Sequence, residues 1–194
     1  MISRLKEFKL IFYQLTRPVS YLRIQHEDKW IYDWLIPIFL TCISWVILGQ
    51  FSSIDHVTGS DGLLARITGF IENLPGFFIA ALAAVATFNR HDIDRVMKNP
   101  PKVKIMYQGN AGFVDMTRRR FLCVLFSYLT AASIFLVIGY YISSAIAEGT
   151  YIDPEIRWLL VLVYFFIFWQ MITATLLGLF YLGERLHTPD AWAP

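Results

Sequence analysis

The chain has 194 residues, enough for one domain, and its hydrophobic fraction of 56% exceeds the roughly 45–50% of soluble proteins. Sixteen Phe and six Trp, with a mean hydropathy of +0.50, would need an unusually large core in water, but lipid covers such surface without one. The net charge of +2 is small, so the placement of the charges carries the information.

Residues 2–15 read as an amphipathic helix. Ile2, Leu5, Phe8, Phe12 and Leu15 recur at three- and four-residue steps, Arg4, Lys6, Glu7 and Lys9 face elsewhere, and Pro18 ends the pattern. This basic helix either lies on an anionic membrane surface or packs on the cytoplasmic ends of the other helices. Residues 1–29 have no short apolar region with a cleavage site, so no signal peptide is expected.

Tyr32 to Phe51 forms a first span, with Trp30, Tyr32 and Trp34 as an interfacial belt and Pro37 placed to kink it. The segment 52–62 is polar and has no Lys or Arg. Residues 63–88 form the second span, its crossing part over 69–88. The uncharged core, 74–88, reaches only about 22 Å at the helical rise, short of a hydrocarbon core of about 30 Å. A turn from Gly69 to Asn73 must join it, placing Glu72 and Asn73 near the outer membrane edge, unless Pro75 breaks the helix there. Its alanines permit close helix approach, which suits an oligomer interface.

Residues 89–120 form the longest polar segment. Lys102 to Tyr107 alternates like a short strand, and Gly109 to Gly112 reads as a turn. The third and fourth spans cover 121–146 and 158–181, followed by a tail over 187–194. Six Lys or Arg precede the first span and eight lie between residues 89 and 120, whereas the other two loops have almost none. The positive-inside rule puts both termini and the middle loop in the cytoplasm. The expected fold is an all-α membrane protein of four transmembrane helices, with an N-terminal amphipathic helix and a cytoplasmic middle loop.

Chemistry-bearing motifs are few. Cys42 and Cys123 sit in apolar runs without metal spacing, and no metal or cofactor is expected. Asp61-Gly62-Leu63-Leu64-Ala65-Arg66 matches the opening of the CDP-alcohol phosphotransferase signature. The aspartates that hold the metal in that family are missing downstream, so the match is set aside. His91-Asp92-Ile93-Asp94 reads as a solvated helix exit. No catalytic constellation is found, and an enzyme is not expected. Within the spans, Gln170 and Thr173 require partners or water. They either bond between helices or line a pore, with Glu72 and Asn73 at its outer mouth. The cationic candidates for a ligand or partner are Arg90, Arg95, Lys102, Lys104, Arg118, Arg119 and Arg120.

Four spans with both ends inside, Leu74-Pro75-Gly76-Phe77-Phe78, an alanine-rich second helix and a loop ending Thr117-Arg118-Arg119-Arg120-Phe121 resemble small membrane components of bacterial anti-phage defence systems. The two named types are the Hailong HalA-type channel effector and the Kiwa KwaA-type membrane sensor. The likeness is architectural and covers about residues 30–186. It implies a homotetramer in the inner membrane with a cytoplasmic defence partner. In the first type it implies a channel gated by single-stranded DNA oligomers, and in the second a sensor holding a DNA-binding protein.

Overall fold

The computed structural model describes residues 11, 13–24, 29–87, 91–96, 100, 102–107 and 110–185. The expected helix over 2–15 and the tail over 187–194 lie largely or wholly outside that set. Residues 13–15 are helical, and Pro18 opens a 3-10 helix, Pro18–Arg23, in place of a plain stop.

The first span starts with a π-helical turn, Ile31–Leu35, and continues as α1, Ile36–Phe51. A short helix α2, Ile54–Thr58, leads into a tight turn. There the Gly62 N–H meets the Gly59 carbonyl at 2.9 Å, and a Cβ on Gly62 would stand 2.8–2.9 Å from three backbone oxygens. The glycine of the Asp61-Gly62 match is thus required by this turn. The second span is α3, Leu63–Ile71, followed by α4, Leu74–Thr87. Pro75 has no N–H for the Ile71 carbonyl, and the break at 72–73 sits at that gap. With α3 added, the run from Leu63 to Thr87 is about 37 Å long, enough to cross. Glu72 therefore stands roughly 14 Å inside the helix from Leu63, not at its outer end.

The middle segment holds α5, His91–Asp94, and a hairpin of β1, Lys102–Tyr107, with β2, Asn110–Asp115. Tyr107 pairs with Asn110, so Asn110 to Gly112, expected as part of a turn, is strand. The fold is helical with this one small sheet among the described residues. A bridge between Val96 and Thr117 closes the hairpin's base. Thr117 caps the third span, α6, Arg118–Gly149, by accepting from the Arg120 N–H at 3.3 Å. Pro154 starts the fourth, α7, Pro154–Phe180.

Four helical segments are long and apolar enough to cross a membrane. They stand in the order second, third, fourth, first: α3 and α4 pack on α6, α6 on α7, and α7 on α1. The buried residues of α6 all fall between Arg118 and Leu136. On α6 the packing is therefore densest toward residue 118, where Leu122, Leu125 and Leu129 are fully buried with Met171, while Val57, Ile71 and Val161 carry the core toward the other end. Gly178 lets α6 approach, since a Cβ there would stand 3.0 Å from the Leu125 side chain.

Candidate functional site

Pro37 organises the foot of the first span. It cannot donate to the Asp33 carbonyl four residues before it. Ile36, whose N–H would reach Tyr32 in an α-helix, donates to Ile31 instead. Two backbone carbonyls are thus left for side-chain donors, and α7 supplies them. Gln170 Nε2 donates to the Asp33 carbonyl at 3.0 Å. The Thr173 hydroxyl lies 3.0 Å from the Tyr32 carbonyl, sharing its proton with carbonyls of its own helix. On its other side, Gln170 Oε1 accepts from the Tyr128 hydroxyl at 2.6 Å. The Gln170 amide therefore joins α6, α7 and the π-helical turn before α1 within the chain, where it is buried.

The Asp33 side chain extends the network. It is 1% exposed, accepts from the Tyr21 hydroxyl at 2.9 Å, and forms an ion pair with buried Lys29 one turn earlier. Lys29 Nζ also sits 4.0 Å above the Tyr21 ring, which stacks on Tyr128 at 5.0 Å. Burial pushes the Tyr21 phenol up, and the Asp33 charge and hydrogen bond push it further. Burial pulls the Lys29 ammonium down, against the hydrogen bond and charge of Asp33. The phenol stays a donor, and its hydrogen bond to Asp33 fastens the 3-10 helix to the foot of the first long helix.

Glu72 and Asn73 behave differently. Both are exposed at the α3–α4 break. Asn73 Nδ2 donates to the Gly69 carbonyl at 3.3 Å, and Glu72 accepts a short hydrogen bond from the Tyr141 hydroxyl on α6. Along the same helical run Gly69, Asn73, Gly76, Ala80, Ala83 and Thr87 recur at steps of four and three, and all are exposed. The remaining polar crossing contact at this level is buried: Thr68 and Tyr164 hydroxyls lie 2.7 Å apart between α3 and α7.

The basic segment is partly committed to the fold. Arg119 grips Asp94 with two bonds, of 2.7 and 3.0 Å, and donates to the Val85 and Ala86 carbonyls at the end of α4. It thus closes the C-terminus of α4 onto α5. Arg118 is nearly buried, Arg120 half-buried and Arg95 exposed. Arg90 and the side chains of Lys102 and Lys104 lie outside the described set.

Of the pore candidates, then, Gln170 and Thr173 meet inside the protomer, while Glu72 and Asn73 face outward on another helix. Sequence reasoning passed over Tyr21, Lys29, Asp33 and Tyr128. The available signal was Lys29 and Asp33 one turn apart, with Pro37 one turn further on. Among the described residues no three His, Cys, Asp or Glu side chains gather as metal ligands. Comparisons with protein-family models, curated proteins and solved structures return no match.

Proposed function

We propose that this chain is a homo-oligomeric inner-membrane protein forming a ligand-gated ion-conducting pore, an effector of anti-phage defence, with both termini in the cytoplasm. The observation that carries the pore is the exposure of Glu72 part-way along the mostly apolar helical run from Leu63 to Thr87, which also carries Arg66 nearer its start. Ionisable groups at such depth face a bundle interior or a water-filled cavity, because lipid does not solvate them. Among the described residues Glu72 has the Tyr141 hydroxyl as its hydrogen-bond partner and stays exposed, so its further cover is assigned to a neighbouring copy. Neighbouring copies provide it when their α3–α4 faces meet, and the small residues there allow a close approach. A ring of Glu72 carboxylates favours cations. Gln170 and Thr173, buried between helices, hold each protomer's shape and do not line the conduit. The defence role rests on the four-span architecture and the basic cytoplasmic segment.

The test is cation flux in liposomes holding purified protein, with and without single-stranded DNA oligonucleotides. Flux that the oligonucleotides raise is expected, with cation selectivity reduced in Glu72→Gln. Absence of flux under every condition sinks the pore.

A second reading has one observation in its favour: the β1–β2 hairpin, closed at its base by the Val96–Thr117 bridge, is a compact module on which a soluble DNA-binding defence protein can dock. In that case neutralising Lys102, Lys104, Arg95 and Arg120 together releases a co-purifying partner and leaves no flux to lose.

A further inference from the structure

Glu72 and Asn73 sit side by side on the run from Leu63 to Thr87 and leave it in different directions. Glu72 keeps helical backbone angles, and its N–H reaches the Thr68 carbonyl at 2.9 Å, so the path stays helical into the break. Successive side chains on such a path are turned by about 100°. Gly69, three residues before Glu72, and Gly76, three after Asn73, fall within the angle between the two polar side chains. A Cβ on either glycine would meet nothing within 4 Å, so the packing of one protomer does not require their small size. The exposed face of this run thus has a glycine floor, with a carboxylate on one flank and an amide on the other.

The two flanks have complementary spare capacity. The Tyr141 hydroxyl donates to Glu72 Oε1, and Oε2 has no partner among the described residues. Asn73 Nδ2 donates to the Gly69 carbonyl at 3.3 Å, a long bond that uses one of its two N–H groups. Adjacent residues on a helix do not face each other, so Asn73 does not serve the Glu72 of its own chain. Arg66 shares the Asn73 flank, two turns earlier. Helical side chains lean toward the N-terminus, and Arg66 Nε is turned that way, 3.4 Å from the Asp61 carbonyl. It stands about 9 Å along the axis from Glu72 and leans away from it, which leaves Asn73 as the donor at the depth of the carboxylate.

We propose that the Glu72 site is completed by a second copy of this chain, through Asn73 of the partner subunit. The proposal rests on the oligomeric reading above and names the contact within it. When copies are related by rotation about an axis along the membrane normal, the Glu72 flank of one meets the Asn73 flank of the next at the same depth. Each carboxylate then accepts from Tyr141 of its own α6 and from the partner's Asn73. A carboxylate has about four lone-pair sites, so both donors fit and acceptor positions remain open to a conduit. Asn73 is thus a positioning residue for the Glu72 ring.

The experiment uses full-length protein with Cys42→Ser and Cys123→Ser, co-expressed in membranes as two copies with different tags. One copy carries Glu72→Cys and the other Asn73→Cys. On oxidation a disulfide between the two tags is expected, in clearly higher yield than either variant gives with itself. A second set of variants reads the hydrogen bond. Asn73→Asp keeps the shape, removes the donor and sets carboxylates against each other. Dissociation of its oligomer in detergent, followed by native mass spectrometry, is expected to rise about tenfold, the weight of one hydrogen bond to a charged group. Adding Glu72→Gln exchanges donor and acceptor and is expected to restore association. Melting temperatures check that each protomer folds. An oligomer that persists without the link between positions 72 and 73, or that the double variant does not rescue, overturns the proposal and leaves the oligomer standing. A link formed in a protein that conducts nothing supports the contact and overturns the pore. Wild-type protein that is monomeric and gives no link overturns both, with lipid left as the cover of this face.

Discussion

Asp33 and Lys29 form a charge pair that neither residue could sustain alone. Both are buried, and the carboxylate is further held by the Tyr21 hydroxyl. Removing one partner leaves the other charge without compensation, at a typical cost of about 3–5 kcal/mol. Replacing both by apolar residues removes that penalty. Asp33→Leu should therefore lower the melting temperature in detergent sharply, while Lys29→Met with Asp33→Leu recovers most of the loss. If the double variant melts as low as the single one, the loss comes from the Tyr21 hydrogen bond to Asp33 and not from an uncompensated Lys29 charge. The Arg119 clamp on Asp94 belongs to the same scale and has a different character. Its acceptor is largely exposed, so its role is to stop α4 through the Val85 and Ala86 carbonyls.

At the scale of elements, the first span is bent by a defect and repaired by its neighbour. Pro37 and the π-helical turn free carbonyls to which Gln170 and Thr173 donate. This makes a double-mutant cycle informative. Gln170→Leu should cost about 1–3 kcal/mol, because the Asp33 carbonyl and the Tyr128 hydroxyl lose their partner in a buried place. In a Pro37→Ala background the helix can supply its own donor, and the cost of Gln170→Leu should shrink. An equal cost in both backgrounds would separate the glutamine from the proline. The second span has the same kind of interruption at Pro75, but there the polar residues at the break point outward. The two breaks thus differ in what surrounds them: α7 covers the first, and a neighbouring protomer is the proposed cover for the second.

At the scale of the whole molecule, α6 and α7 form the centre, and the first and second spans occupy opposite edges. That order leaves the face carrying Gly69, Asn73, Gly76, Ala80, Ala83 and Thr87 uncovered within one protomer. With Cys42 and Cys123 changed to Ser, a cysteine at Gly76 should form a disulfide-linked dimer in oxidised membranes. A cysteine at Ile138, exposed on α6, should not. Failure of the Gly76 position to cross-link would remove the α3–α4 face from the oligomer contact.

The four helices long and apolar enough to cross a membrane were legible from sequence because each is a long apolar run, a local property. Span ends were legible to within a few residues except where prolines intervened. Pro75 looked capable of breaking the helix, and the break falls at 72–73, between α3 and α4, with α3 held to α7 by the Thr68–Tyr164 hydrogen bond. The strand over Lys102 to Tyr107 was visible in its alternation, whereas its partner at Asn110–Asp115 was hidden by glycines that read as a turn. The same limit governs the site. Composition shows that Gln170 must find a partner, since an unpaired amide is costly anywhere in an apolar interior. Which partner it finds depends on the order in which the helices stand, and that order is set by packing between residues far apart in the chain. The sequence by itself therefore determined the class of molecule and the need for partners. The tertiary structure decided that Gln170 and Thr173 meet theirs within the protomer and that Glu72 and Asn73 face out of it.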